Sequence, residues 1–150
     1  MEYLKYGDLD IVQGQVQHSR PRRRGDPDPP FASSTMSCSR HHSPLEQGLL
    51  TGAIGKDYVP EGARANKKWF QKGSLERVVD MLDSWKPLCE KYQCGIPTLA
   101  LAWILAQGDF ITILSGSTTP DQVRENIGAI QIELSREDAK WMREQAEALD

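Results

Sequence analysis

Apolar residues recur at helical spacing along the second half of the chain. Leu75, Val78, Val79, Leu82, Trp85, Cys89 and Tyr92 fall three or four positions apart, which predicts an amphipathic helix over about 74–93. Gly95 is placed to end it. Pro97 suits a first helical turn, and Leu99, Ala102, Trp103 and Ala106 give a second helical stripe. Ile111–Leu114 is a short apolar run of the kind a buried parallel strand shows. Thr119-Pro120-Asp121-Gln122 reads as a capping box with Pro at the first position, leading into Val123, Ile127 and Ile130. Ser135 with Asp138 predicts the start of a last helix bearing Ala139, Met142, Ala146 and Leu149. The order helix, strand, helix fits a parallel sheet with outer helices, an α/β fold.

The first 42 residues read differently. Leu9, Ile11 and Val12 suggest a short strand after a polar turn at Gly7-Asp8. Gly14–His42 holds four prolines, five arginines and five serines, and its large apolar side chains are Val16, Phe31 and Met36. Such a segment buries too little apolar surface to offset chain entropy and is expected to be disordered. A structureless run of 29 residues inside a compact domain is uncommon.

Length and charge narrow the picture. At 150 residues the chain is one ordinary domain in size. Net charge is −3, carried unevenly: +1 over residues 1–42 and −4 over residues 43–150. That balance argues against nucleic acid or an anionic membrane as partner. The basic run Arg20-Pro21-Arg22-Arg23-Arg24 is followed at once by Asp26 and Asp28. Cys38, Cys89 and Cys94 form no C-x-x-C pair and no zinc spacing, so free thiols and no metal site are expected. With no apolar run near the ~20 residues of a membrane span and no signal-peptide pattern, a soluble cytoplasmic protein is expected.

Two segments carry candidate chemistry. Ser43-Pro44-Leu45-Glu46-Gln47-Gly48 is a glycine-containing turn after a strand position, and Ile113 to Asn126 runs Ile-Leu-Ser-Gly-Ser-Thr-Thr-Pro-Asp-Gln-Val-Arg-Glu-Asn. Gly48 lets backbone approach an anion closely. Gly116, Ser117, Thr118 and Thr119 precede a helix N-terminus, where free N–H groups and a partial positive charge suit phosphate. Taken one at a time, these are also ordinary turn and cap residues.

Together with Pro97–Gln107 and the Ile132–Ser135 lead into the last helix, these segments resemble, in order, the C-terminal half of the aldo-keto reductase family. The motifs look most like those of bacterial members that reduce small aldehydes such as methylglyoxal with NADH. The resemblance implies the C-terminal part of a (β/α)₈ TIM barrel, with Met1–Gln13 as the end of the fifth helix and the sixth strand. It implies that Ser43, Leu45 and Gln47 meet the cofactor pyrophosphate, with Gly48 and the helix N-terminus after Gly116, Ser117, Thr118 and Thr119 suited to phosphate as above. Gln122, Glu125 and Asn126 match positions that hold the adenosine. Members preferring NADPH often carry Lys or Arg where this chain has Gly116 and Gln122, so NADH is the expected cofactor, with Arg124 as the residue able to favour NADPH.

The family's tyrosine acid, with its lysine, aspartate and histidine, lies on the first half of the barrel. No residue here matches those motifs, and Tyr58 sits in the long loop after the seventh strand. The four tryptophans are expected to pack in the core or in loops, and in a complete barrel Trp69 could line a substrate mouth. A complete barrel needs roughly 200 to 250 residues, so these 150 residues imply an incomplete one. They are expected to be the cofactor end of an NAD(P)H-dependent reductase of small aldehydes or ketones, inactive alone. Between Gln13 and Ser43 the family pattern breaks. Gly14–Arg24 read one base later permits Ala-Lys-Tyr-Ser-Ile-Val-Asp-Arg, close to the family's run, which suggests an out-of-frame segment and the loss of the seventh strand. A non-catalytic dinucleotide-binding or half-barrel interaction module, and a pseudogene product, are the competing expectations.

Overall fold

The computed structural model describes residues 11–14, 38–109 and 111–149. Met1–Asp10 and residues 15–37, where the fifth-helix remnant and most of the proposed out-of-frame segment fall, lie outside the described residues. Three strands, β1 (Ile11–Gly14), β2 (Cys38–His42) and β3 (Ile111–Leu114), form one parallel sheet in the order β1-β2-β3. Ile11 pairs with Cys38, and His42 with Leu114.

The expected loss of the strand before Ser43 is corrected: Cys38–His42 is a strand, paired on both sides. The disorder expected over 14–42 is likewise corrected at Gly14 and Cys38–His42. Strand pairing is made by backbone N–H and C=O groups. A polar run without proline or glycine can make it, and apolar content alone was the wrong test.

Among the described residues, five α-helices accompany the sheet: α1 (Ser74–Ser84), α2 (Lys86–Tyr92) and α3 (Ile96–Leu105) between β2 and β3, and α4 (Pro120–Gly128) and α5 (Arg136–Glu147) after β3. The helix expected over 74–93 breaks at Trp85 because Pro87 has no N–H to donate and its ring would strike the carbonyl of Asp83. Gln93, in the left-handed region at φ 51°, ends α2, and Cys94 N–H bonds back to Cys89 O at 3.0 Å. Gly95 therefore starts α3 rather than ending a helix. Both predicted caps form: the Thr119 side chain accepts from Gln122 N and Ser135 Oγ from Asp138 N.

The core joins Leu49 and Leu50 to Phe70, Leu75, Val78, Leu82, Trp85, Leu99, Trp103, Ile104, Met142 and Leu149. Burying such side chains stabilises by about 1.5–3 kcal/mol each. All of α3 from Pro97 to Ile104 is buried, so it is the helix around which the others pack. Its Trp103 Nε1 donates to Ala139 O of α5 at 2.9 Å. A second tie holds the end of α2 to the start of α5. Tyr92 Oη donates to Asp138 and accepts from Ser135 N, while Lys91 Nζ lies 2.6 Å from the Asp138 carboxylate.

Candidate functional site

Because β2 and β3 are parallel and in register, the chain leaves both at the same edge of the sheet. The loop beginning at Ser43 and the loop beginning at Ser115 therefore emerge side by side. In parallel α/β sheets, the carboxyl ends of the strands are where ligands bind.

The first loop is held in an unusual backbone. Ser43 (φ 53°), Glu46 (φ 45°), Gln47 (φ 55°) and Gly48 (φ 89°) all occupy the left-handed region. For the three that are not glycine this costs of order 1–2 kcal/mol each. The loop is pinned by Glu46 N to Ser43 O (3.0 Å), Gly48 N to Leu45 O (3.0 Å) and Thr51 Oγ1 to Gly48 O (2.7 Å). Leu49 and Leu50 anchor it in the core. Glu46 is buried, and Lys67 Nζ donates to its carboxylate at 3.0 Å. Successive N–H groups in alternating right- and left-handed conformation form a concavity suited to an anion; Leu45 (φ −97°, ψ 16°) followed by Glu46 is such a pair.

The second loop runs into the N-terminus of α4. Gly116, Ser117, Thr118 and Thr119 are all exposed. Asn126 Nδ2 donates to Ser117 Oγ at 2.8 Å. Gln122 Oε1 accepts from both the backbone N (2.8 Å) and the hydroxyl (3.1 Å) of Thr118. The capping box is thus shifted: Gln122 reaches back to Thr118 rather than Thr119. Asn126 and Gln122 shape the loop, while the Glu125 side chain turns toward α3. Ser115 Oγ is buried and has no hydrogen-bond partner among the described residues.

The start of α3 links the two loops. A Cβ on Gly52, at the end of the first, would stand 2.8 Å from Ile96 Cδ1. A Cβ on Gly95 would stand 2.5 Å from Glu125 Oε1. Thr98 Oγ1 also donates to Glu125 O at 3.1 Å. Beside this junction, burial, with repulsion from Cys89 and Glu125, pushes the Cys94 thiol up to about 11.

The long loop after the first turn adds a residue that motif reading did not single out. Arg64 Nη2 lies 3.6 Å from where a Cβ on Gly48 would be. Arg64 Nη1 donates to Tyr58 Oη at 2.7 Å, and the guanidinium stacks 5.8 Å from the Tyr58 and Phe70 ring centres. Only the folded loop brings position 64 to position 48, so no spacing rule would have found it. Tyr58 is engaged in holding Arg64. Trp69 is buried in the core cluster with Leu49, Leu50 and Val78, as expected of a packing tryptophan. Among the described residues, no group of three His, Cys, Asp or Glu side chains is placed to hold a metal ion. No helix among them is long and apolar enough to cross a membrane.

The family profile described as "Aldo/keto reductase family" matches residues 40–147. The chain is 56% identical over 149 residues to the NADH-specific methylglyoxal reductase of Escherichia coli strain K12, covering 99% of this chain and 45% of that one. It is 32% identical over 108 residues to aldo-keto reductase str7 of Strobilurus tenacellus, covering 71% and 32%. Among solved structures, it superposes on the glycerol dehydrogenase AKR11B4 of Gluconobacter oxydans with TM-score 0.83 at 24% identity, covering 97% of this chain and 45% of that one. The chain spans less than half the length of these relatives.

Proposed function

Since the chain belongs to the aldo/keto reductase family, we propose that residues 43–150 form the cofactor end of a (β/α)₈ barrel that reduces small aldehydes with NADH. The observation that carries this reading is the placing of both loops at the carboxyl ends of adjacent parallel strands: a pinned left-handed turn that meets the start of α3 through Gly52 and Ile96, and a helix N-terminus that meets it through Gly95 and Glu125.

The residues fit a dinucleotide. The turn at Ser43, Leu45, Gln47 and Gly48 receives the pyrophosphate, with Arg64 supplying positive charge above Gly48. Gly116, Ser117, Thr118 and Thr119 present the N-terminus of α4 to the adenosine side of the cofactor. Gln122 and Asn126 hold that loop in shape, and the Glu125 carboxylate, beside Gly95, is the acceptor assigned to the ribose hydroxyls of NADH. Ser115 Oγ, without a hydrogen-bond partner among the described residues, is available to the ligand. The bound nicotinamide supplies a hydride to the substrate carbonyl. The proton belongs to a tyrosine acid that resembles none of Tyr3, Tyr6, Tyr58 and Tyr92, so these 150 residues bind cofactor without turning over substrate.

Preference for NADH follows from charge. Arg124 lies 2.5 Å from Asp121, both exposed, so its charge is partly answered before a 2′-phosphate arrives. The E. coli relative at 56% identity is named as NADH-specific, in keeping with that reading. Fluorescence titration with NADH and NADPH tests it. Saturable binding, tighter for NADH and without reduction of methylglyoxal, is expected. Absence of saturation with either nucleotide, or turnover by the chain alone, would overturn the reading.

A further inference from the structure

Cys89, in the last turn of α2, and Cys94, in the turn beyond it, are both free thiols. The left-handed Gln93 (φ 51°) between them reverses the chain. Cys94 N–H donates to Cys89 O at 3.0 Å, and Gln93 N–H donates to Glu90 O at 3.3 Å. These nested 6→1 and 5→2 bonds define a helix end in which the first and sixth side chains commonly touch. Here both of those side chains are cysteines. Both are half-buried against the same core cluster, so each keeps a partly open side for a reagent.

A disulfide needs Cα atoms roughly 4.4–6.8 Å apart. A 3.0 Å bond from the amide of one residue to the carbonyl of the other leaves their Cα atoms no more than about 7 Å apart. The Cys94 thiol also answers to its neighbour: burial, then repulsion from Cys89 and Glu125, push it up to about 11. Burial raises Cys89 as well. Thiols that ionise poorly exchange slowly, but little stabilises them in the reduced form, so a bridge once made is kept.

We propose that Cys89 and Cys94 are a redox-modifiable dithiol, a site for thiol–disulfide exchange with a small disulfide such as oxidised glutathione. One cysteine sulfur, as thiolate, attacks a glutathione sulfur. The glutathione S–S bond breaks, one glutathione thiolate leaves, and a mixed disulfide forms. The neighbouring cysteine gives up its proton and attacks the protein sulfur of that mixed disulfide. The second glutathione leaves, and the Cys89–Cys94 bond remains. The two protein sulfurs are oxidised, the glutathione disulfide is reduced by the same two electrons, and both thiol protons end on the released glutathione. The bridge clamps the turn between α2 and α3, and with it Gly95, against which the Glu125 carboxylate lies. Neither the bridge nor its test involves the cofactor.

The test is incubation of the whole chain with oxidised glutathione at pH ~8, where exchange proceeds through the thiolate, then an acid quench and digestion with trypsin without reduction. Lys91 lies between the two cysteines, so trypsin cuts the segment that joins them. A Cys89–Cys94 bridge therefore appears as peptides 78–91 and 92–124 held together, and parted by dithiothreitol. That joined pair is expected. It is expected to form on the order of tenfold more readily in the folded chain than in concentrated urea, because the turn presets the two sulfurs. A lasting glutathione adduct on either residue, a bridge to Cys38, thiols left free, or equal bridging in urea would overturn the proposal.

Discussion

Glu125 reaches from α4 back to the backbone of Gly95, so closely that a Cβ at position 95 would stand 2.5 Å from Oε1. One end of the buried helix α3 therefore lies against the Glu125 carboxylate of α4. Gly95 itself is at an ordinary φ of −78°, so its lack of a side chain answers to space and not to backbone strain.

Gly95→Ala consequently leaves the fold intact, because the atom it meets is the movable end of a side chain, but displaces the Glu125 carboxylate. NADH affinity is expected to fall about fivefold, on the order of 1 kcal/mol, with thermal stability nearly unchanged. Calorimetric titration of the variant checks this; unaltered affinity would show that Glu125 does not touch the cofactor.

Gly52→Ala behaves in the opposite way. Position 52 has φ 74°, and its Cβ would meet Ile96 Cδ1 at 2.8 Å. Strain in the left-handed region alone costs roughly 1–2 kcal/mol, and the clash adds to it. Denaturant unfolding is expected to show a lower midpoint with an unchanged slope.

Acid stability centres on Asp138. Burial pushes its carboxyl up, but hydrogen bonds from Lys91 and Tyr92 and the Lys91 charge outweigh it and hold the group below its ordinary value. A depressed folded-state value stabilises the protein above the unfolded value near 3.8 and is lost as pH falls through the lower, folded one. Asp138→Asn is expected to cost about 1–2 kcal/mol at pH 7 and to flatten the stability curve below pH ~4. Urea melts from pH 2 to 7 measure both.

The Cys94 thiol, raised to about 11 by burial and by its neighbours Cys89 and Glu125, stays protonated at neutral pH. Alkylation of Cys94 by iodoacetamide, followed by peptide mass spectrometry, is expected to be slow at pH 7 and to accelerate toward pH 11. Rapid modification at pH 7 would contradict the burial that the structure gives this residue.

The sequence read well where a local rule decides. Thr119 and Ser135 cap their helices as predicted because an N-cap hydroxyl needs only residues within one turn. The strand before Ser115 was legible in its apolar run, whereas the turn at Ser43 was read from its resemblance to a family motif, with the strand before it expected to be lost. The break at Trp85 was legible in Pro87, yet the apolar spacing continues through it and masked the stop. β2 was missed because its polar side chains say nothing about backbone pairing with β1 and β3. Ile111–Leu114 was read as fully buried, whereas its faces alternate; an apolar run names a strand without naming what covers it. Val123, Ile127 and Ile130 announced a face for the same reason, and the structure shows that face uncovered. Arg64 lies 16 positions beyond Gly48, and only the folding of the intervening loop places it there.

Hydrogen–deuterium exchange of the chain with and without saturating NADH tests the central claim most directly. The account predicts slowed exchange confined to the amides of residues 43–48 and 115–122, with α1 and α5 unchanged. Protection absent from both loops, or centred elsewhere, would contradict it.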